Sequence, residues 1–258
     1  MNRLSVLALL LFSTATVAAG LFEDLERLHE ADRQQQVLAR IEAELPTTSE
    51  RARRAELLWR KARAQLTLAD YATWSGELSN REAIELLRIA ESHADEAILL
   101  DPDAPNGYFW KAATMGLRGQ LRGVLNSLFM ASDVRDYAEA TLQRHPRHPE
   151  AHYLLGQLYR ELPRRPLSFG NRDRAVEYGR RAVELHEREY RQGVVGVRYF
   201  DLYTQLADSL WQRNSRGDRD EAVAMLRSNI ADLEALSAPT TRERKDLQSA
   251  RELLAAWL

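Results

Sequence analysis

The sequence predicts an all-α protein built from repeated pairs of helices. Helix-forming Ala, Leu, Arg and Glu dominate the 258 residues, and β-branched residues are sparse. A second observation is internal repetition, since Pro102-Asp-Ala-Pro105 returns 44 residues later as Pro146-Arg-His-Pro149. The helices around these signals also carry small residues on one face, which lets neighbouring helices approach closely. Those small residues are Ala90, Ala94 and Ala97, then Val134, Ala138 and Thr141, then Ala175, Gly179 and Ala182.

The first 19 residues have the pattern of a signal peptide rather than of a folded element. Arg3 supplies a positive start, and Leu4 to Phe12 is apolar but short for a membrane span. Val17-Ala18-Ala19 places small residues where a signal peptidase cuts, so we expect cleavage after Ala19. An uncleaved amino-terminal anchor is the alternative. The sequence has no cysteine, which excludes disulfides and a lipidated amino terminus, and we expect an exported, periplasmic protein that is not a lipoprotein.

Residues 20–258 are expected to form one helical repeat domain, and the apolar spacing predicts its elements in order. Leu21 to Leu45 is predicted as one helix that Pro46 ends. About four helix pairs follow. They span residues 51–100, 105–145, 149–186 and 199–236, and a capping helix covers 241–258.

Punctuation residues support these boundaries. Ser49-Glu50 precedes the first pair, Asp101-Pro102 closes it, and Thr240 or Thr241 caps the last helix. A plain repeat of this kind has about 34 residues, so the 44-residue offset predicts an insertion inside each copy. We assign these insertions to residues 117–132 and 163–171, and interpret Gly116, Gly119 and Gly123 as a helix end and a turn.

Charge and motifs exclude several classes of function. The 36 basic and 38 acidic residues are interspersed, which argues against nucleic-acid binding. No nucleophile elbow, phosphate loop or dinucleotide fingerprint is present, so we expect no catalytic residues, no cofactor and no enzyme. His145, His148 and His152 lie close together, but Pro149 keeps His148 off the helix of His152, and we expect no metal site.

The candidate binding surface is the concave face of the predicted superhelix. In such a fold the first helix of each pair lines the inner surface. Counting from Pro105 and Pro149 turns six residues toward a groove that could hold a peptide or an apolar small molecule. The alternative is that the aromatic ones fill the core between repeats. The six are Phe109, Leu117, Tyr153, Gln157, Arg160 and Trp211.

Leu155-Gly156 followed by Tyr159 is the core pattern of a tetratricopeptide repeat, and it leads to a family resemblance. Together with Pro163 to Asn171 and the helix that ends at Ala182-Val-Glu-Leu185, it resembles the T component of TRAP-type (tripartite ATP-independent periplasmic) transporters. Tyr108-Phe-Trp110 and Arg122-Gly-Val-Leu fit as well. The same segments are similar to the regulator of microtubule dynamics family, which shares this layout.

The resemblance to the transporter family implies a periplasmic protein that associates with a solute-binding protein and passes on a hydrophobic ligand through a central pore. Some members form trimers, so a homo-oligomer is possible. Members of that family are lipoproteins, from which this chain departs by lacking cysteine. We expect an exported scaffold that binds a protein partner, with a carrier for an apolar small molecule as the alternative.

Overall fold

A computed structural model describes residues 20–258 and confirms the all-α fold class. The predicted signal peptide, residues 1–19, lies outside the described residues and stays a prediction. A short 3-10 turn, Leu45–Thr47, follows the second helix. In chain order the helices are α1 (residues 20–30), α2 (Gln34–Glu44), α3 (Arg51–Ser75), α4 (Asn80–Leu100), α5 (Pro105–Arg122), α6 (Val124–Arg144), α7 (Pro149–Glu161), α8 (Arg172–Arg191), α9 (Asp201–Arg213), α10 (Asp218–Glu234) and α11 (Thr241–Trp257).

Local sequence signals set several of these boundaries. Ser79 and Thr240 begin α4 and α11 with capping boxes, in which the hydroxyl and the glutamate three residues later satisfy each other's backbone N–H. Pro105 and Pro149 stand at the first position of α5 and α7, where a missing N–H costs nothing. The repeated proline motif therefore marks equivalent helix starts.

The helices pack as two layers. Helices α3, α5, α7, α9 and α11 contact one another in succession and form the inner layer. Helices α4, α6, α8 and α10 each pack against the two inner helices that flank them in the chain and form the outer layer. This is the alternation expected of a helical-repeat superhelix.

Small residues let the layers approach closely. Ala90, Ala94, Ala138 and Ala175 have no exposed surface. Gly156 on α7 lies so near α8 that a Cβ there would be 3.2 Å from the backbone oxygen of Ala175. The stripe of small residues in the sequence is thus the contact line between the helices of a pair.

Two sequence-based boundaries are wrong. The predicted helix from Leu21 to Leu45 is broken at residues 31–33, where Asp32 adopts a left-handed conformation with φ of 60°. The predicted insertion at residues 117–132 is helical, because α5 continues to Arg122 and α6 begins at Val124. Gly123, with φ of 96°, is the single residue between them.

The second predicted insertion is a non-helical segment with defined contacts. Residues 162–171 join α7 to α8, and the Gly170 and Asn171 amides donate to the carbonyls of Pro163 and Tyr159 at 3.0 and 2.9 Å. The Asn171 side chain then caps α8 by accepting from Asp173 and Arg174. These bonds hold the segment against the end of α7.

The last helix closes the superhelix on its beginning. Helix α11 packs against α9 and α10 and also contacts α3. The Lys245 ammonium pairs with Asp70 of α3, and the Arg242 amide donates to the Asp32 carboxylate at 3.3 Å. The Gly196 amide before α9 donates to Glu30 of α1 at 2.8 Å. The two ends of the array are therefore joined through side-chain contacts.

Across residues 20–258, none of the helices combines the length and the apolar character needed to cross a membrane.

Candidate functional site

A cavity of about 440 Å³ lies inside the closed superhelix, and we call it the central cavity. Each of the inner helices α3, α5, α7, α9 and α11 contributes residues to its wall. Its volume falls within the range of about 300–1,000 Å³ that is usual for small-molecule sites. Helix α11 forms one side of this cavity, where it contacts both α9 and α3.

One part of the wall is apolar and aromatic. The rings of Phe109 and Trp110 meet edge to face, with centroids 4.8 Å apart. Phe109 is almost wholly buried, so it contributes to the core as well as to the wall. The remaining apolar residues of this wall are Leu66, Ala113, Leu117, Leu154 and Leu202.

Another part of the wall is acidic, and we define the acidic end of the cavity as Asp201, Gln205 and Asp246. Asp201 accepts hydrogen bonds from the Tyr153 hydroxyl and from Gln205 Nε2, the latter at 3.1 Å. Asp246 is 7% exposed, and its Oδ2 has no hydrogen-bond partner within the described residues. Gln205 Oε1 is buried and has no partner in that same part of the chain.

Two groups at the acidic end, Asp246 and Tyr153, have raised pKa values. Burial and the nearby Asp201 raise the pKa of Asp246 well above its ordinary value. Burial and the same Asp201 carboxylate raise the pKa of the Tyr153 phenol, which keeps that hydroxyl protonated as a donor. Groups with strongly shifted pKa values that face a cavity make that cavity a candidate functional site.

Cations border the cavity on the side of α3 and α11. Arg63 binds Glu26 at 2.8 Å and lies over the Trp59 ring, 5.1 Å from its centroid. Arg242 stacks over the Tyr199 ring at 4.9 Å. Burial and the charges of Arg63 and Arg242 lower the pKa of His29 well below its ordinary value, so this lining histidine is neutral.

The structure brings together four of the six residues that the sequence analysis assigned to the groove. Phe109, Leu117, Tyr153 and Gln157 all line the central cavity.

The other two lie elsewhere. Arg160 is buried and ties α7 to α9, donating to the Gln205 carbonyl at 3.0 Å and pairing with Asp208 at 3.1 Å. Trp211 stacks face to face on Trp257 of α11, with centroids 4.4 Å apart, and thus packs at the end of the array.

Sequence reasoning missed the polar residues that α3, α9 and α11 bring to the cavity. Asp70, Asp201 and the α11 residues Arg242 and Asp246 come from three helices that are separate in sequence and meet only in the folded chain. One local signal existed, because Asp246 lies four residues before the fully buried Ala250 and so shares its helix face. A carboxylate on a buried face is the observation that could have drawn attention to it.

A second cavity of about 450 Å³ opens between α5, α6 and α7, and we call it the outer groove. Met115, Leu128, Met130 and Leu158 line it, and Pro163 places the start of the inserted segment at its edge. Two large apolar side chains stand exposed on the segments that border it, Phe129 on α6 at 81% and Leu167 in the insertion at 83%.

The histidines near residue 148 serve the helix start. His148 caps α7 and lies 3.0 Å from Glu150, and His152 faces the Pro146 carbonyl at 3.0 Å. Within residues 20–258 no group of three or more potential ligands is arranged to hold a metal ion.

A sequence family model described as "Regulator of microtubule dynamics protein 1-3" matches residues 21–163. That range extends from α1 to the start of the inserted segment and includes α5, α6 and α7 around the outer groove. No curated protein matches the chain.

Solved structures show the same architecture. The crystal structure of a thermophilic TPR protein from Thermus thermophilus is similar with a TM-score of 0.62 and 16% identity, covering 91% of this chain and 99% of that one. The crystal structure of MamA has a TM-score of 0.44 and 13% identity over 81% of this chain and 94% of that one. The first of these likenesses shows a TPR-like fold.

Proposed function

This chain belongs to the regulator of microtubule dynamics protein 1-3 family, and on that premise we propose that it is an exported, non-catalytic scaffold that binds a protein partner. The observation that carries this proposal is the outer groove with its exposed Phe129 and Leu167. Large apolar side chains exposed beside an apolar groove are typical of a protein interface.

The partner that fits the proposed location is a periplasmic solute-binding protein of a TRAP-type system. Its support is the signal-peptide pattern of residues 1–19 together with the resemblance of residues 155–185 to the T component. An exported protein would not meet the microtubules to which the family description refers.

Charge substitution in the outer groove tests the proposal. The purified protein is titrated with a purified TRAP-type solute-binding protein from the same source, and binding is followed by light scattering and calorimetry. Phe129→Glu and Leu167→Glu are expected to weaken the complex at least about tenfold, because each places a charge in the apolar interface. Leu99→Glu is the matched control, since Leu99 is also exposed, at 73%, but lies on α4 outside the groove.

Equal weakening by all three variants, or no complex with the unaltered protein, would contradict the proposal. Export is tested separately by fusing residues 1–19 to a reporter that is active only outside the cytoplasm. The same light-scattering run gives the oligomeric state, for which the sequence predicts only that a homo-oligomer is possible.

A second candidate function is a carrier for an apolar small molecule, and the aromatic wall of the central cavity favours it. Native mass spectrometry of the purified protein would then show a co-purified organic mass that organic extraction removes. A clean apo mass together with partner capture supports the scaffold instead.

A further inference from the structure

We propose that the acidic end of the central cavity binds the protonated amino group of a small organic cation whose apolar body lies on the aromatic wall. This inference deepens the second candidate function and is independent of the protein partner.

The first observation is a set of hydrogen-bond acceptors without donors. Asp246 Oδ2 and Gln205 Oε1 are both buried and have no partner among the described residues. A buried acceptor that lacks a donor costs roughly 1–3 kcal/mol. Both atoms belong to residues of the cavity wall. A ligand that donates hydrogen bonds would satisfy these two acceptors.

The second observation is the balance of charge. The charged groups that act most strongly on Asp246 are the carboxylates of Asp201 and Asp70 and the cations Arg242 and Lys245. Lys245 is already paired with Asp70. Within residues 20–258 neither Asp201 nor Asp246 forms a salt bridge, and Asp201 is held by the neutral donors Tyr153 and Gln205. The proton that Asp246 retains balances these charges, and a bound ammonium group would take the place of that proton.

The third observation is the aromatic composition of the wall. Phe109, Trp110, Tyr153 and Tyr199 all line the cavity. Aromatic faces attract cations through the ring quadrupole and also bury an apolar body. Carboxylates and aromatic rings around one small space are the two elements that a site for an organic ammonium needs.

An anionic ligand is the competing reading of this cavity. Arg63 pairs with Glu26 through one nitrogen and stacks on Trp59, but its buried Nε and Nη2 have no partner among the described residues. Arg63 and Arg242 are therefore the two cations that an anion would meet. Arg242 itself stacks on Tyr199. The carboxylates of the acidic end would repel an anion, so the cationic ligand fits the described residues better.

Binding should be coupled to proton release. The carboxyl of Asp246 holds its proton to higher pH than an ordinary aspartate, because it is buried and near Asp201. The groups that face it are Asp70 from α3, Tyr153 from α7, Asp201 from α9, and Arg242 and Lys245 from α11. An ammonium group favours the ionised carboxylate, so bound amine expels that proton.

The test compares three probes of one shape with the purified full chain by isothermal titration calorimetry. They are 2-phenylethylamine, 2-phenylethanol and 3-phenylpropionate. The amine is expected to bind at least about tenfold more tightly than the alcohol, since a buried charge pair accounts for the difference. Titrations in buffers of different ionisation enthalpy should show a proton released with the amine and none with the alcohol.

Matched variants locate the effect. Asp246→Asn keeps the shape of the side chain, and we expect it to remove both the preference for the amine over the alcohol and the proton release. Glu252→Gln changes an exposed carboxylate on the same helix and should leave all three affinities unchanged. A thermal melt of each variant confirms folding, and the proton count of the unaltered protein tests the site even if Asp246→Asn fails to fold.

The outcomes separate the two ideas. Equal binding of amine and alcohol would overturn the ammonium site but support the apolar carrier. Tightest binding of the carboxylate would overturn it in favour of an anion site at Arg242. Binding of none of the three probes would overturn both.

Discussion

At the residue scale, glycines show most directly how the sequence sets the packing. Gly156 and Gly116 both lie inside helices of the inner layer, α7 and α5. A Cβ on Gly156 would be 3.2 Å from backbone atoms of both Ala175 and Gly179. A Cβ on Gly116 would meet nothing nearer than 3.9 Å. The two positions share a secondary structure and differ in the space around them.

Gly156→Ala and Gly116→Ala should therefore change stability in opposite directions. Helix propensity favours alanine by about 1 kcal/mol at either position. Overpacking at residue 156 opposes this with about 1–3 kcal/mol, because backbone atoms of α8 must move. We expect the free energy of unfolding to fall for Gly156→Ala and to rise by up to about 1 kcal/mol for Gly116→Ala. Urea denaturation measures both, and a rise for both variants would show that α7 and α8 can separate freely.

Burial of His29 gives stability a dependence on pH. The ring is buried, and its Nδ1 lies 3.1 Å from Gln34 Oε1. Since burial and the charges of Arg63 and Arg242 lower its pKa in the native state, the unfolded chain takes up a proton first as the pH falls below about 6.5. The unfolded state is then favoured, so stability is complete above that pH and declines below it.

His29→Asn should flatten this decline. Asparagine keeps an N–H that can reach Gln34 but does not titrate. Between pH 7 and pH 5 we expect the unaltered protein to lose about 1 kcal/mol more than the variant. Chemical denaturation across this range measures the difference. His145→Asn is the comparison and should flatten the decline less, because that ring is exposed, although partial burial and the nearby His148 and Arg147 also lower its pKa. Parallel curves for His29→Asn and the unaltered protein would refute the assignment.

At the element scale, α11 shows where local sequence patterns stop being informative. Its cap, length and apolar face followed from Thr240 or Thr241 and from the spacing of Leu247, Ala250 and Leu254. The contact between α11 and α3 could not be predicted in this way. Lys245 and Asp70 are 175 residues apart, and the periodicity within one helix carries no information about so distant a partner. The extent of α5 and α6 was missed for a related reason, since the glycines at 116 and 119 weaken a helix signal that tertiary packing restores.

A double-mutant cycle on Asp70 and Lys245 measures this contact. The two side chains are 30% and 26% exposed, so the pair is partly shielded from water. We expect Asp70→Asn and Lys245→Gln to show a coupling energy of about 0.5–1 kcal/mol in urea denaturation. The pair of Glu234 and Arg251 is the control and should couple less, because its side chains are 48% and 57% exposed. Coupling no larger than in the control would mean that the ion pair contributes nothing to closure.

At the scale of the whole molecule, the repeat architecture was predictable and the site was only partly so. The proline motifs and the small-residue stripes define the helix pairs and the inner face, and they led to Phe109, Tyr153 and Gln157 in the cavity wall. Trp211 does not line this cavity and instead stacks on Trp257 of α11. Asp201 and Asp246 could not be assigned, because they lie 45 residues apart on two helices and come together only when α9 packs against α11.

The contacts between the two ends of the array should also change how the protein unfolds. An open repeat array loses its terminal repeats first, since each has only one neighbour. Here α11 contacts α3 and the Gly196 amide contacts Glu30, so neither end is free. In native-state hydrogen exchange the amides of α3 and α11 should then open with the same free energy as those of α7, and Lys245→Gln should restore fraying at the ends. Faster exchange confined to α11 in the unaltered protein would show that the ring behaves as an open chain. Closure would thus make the protein fold as one cooperative unit.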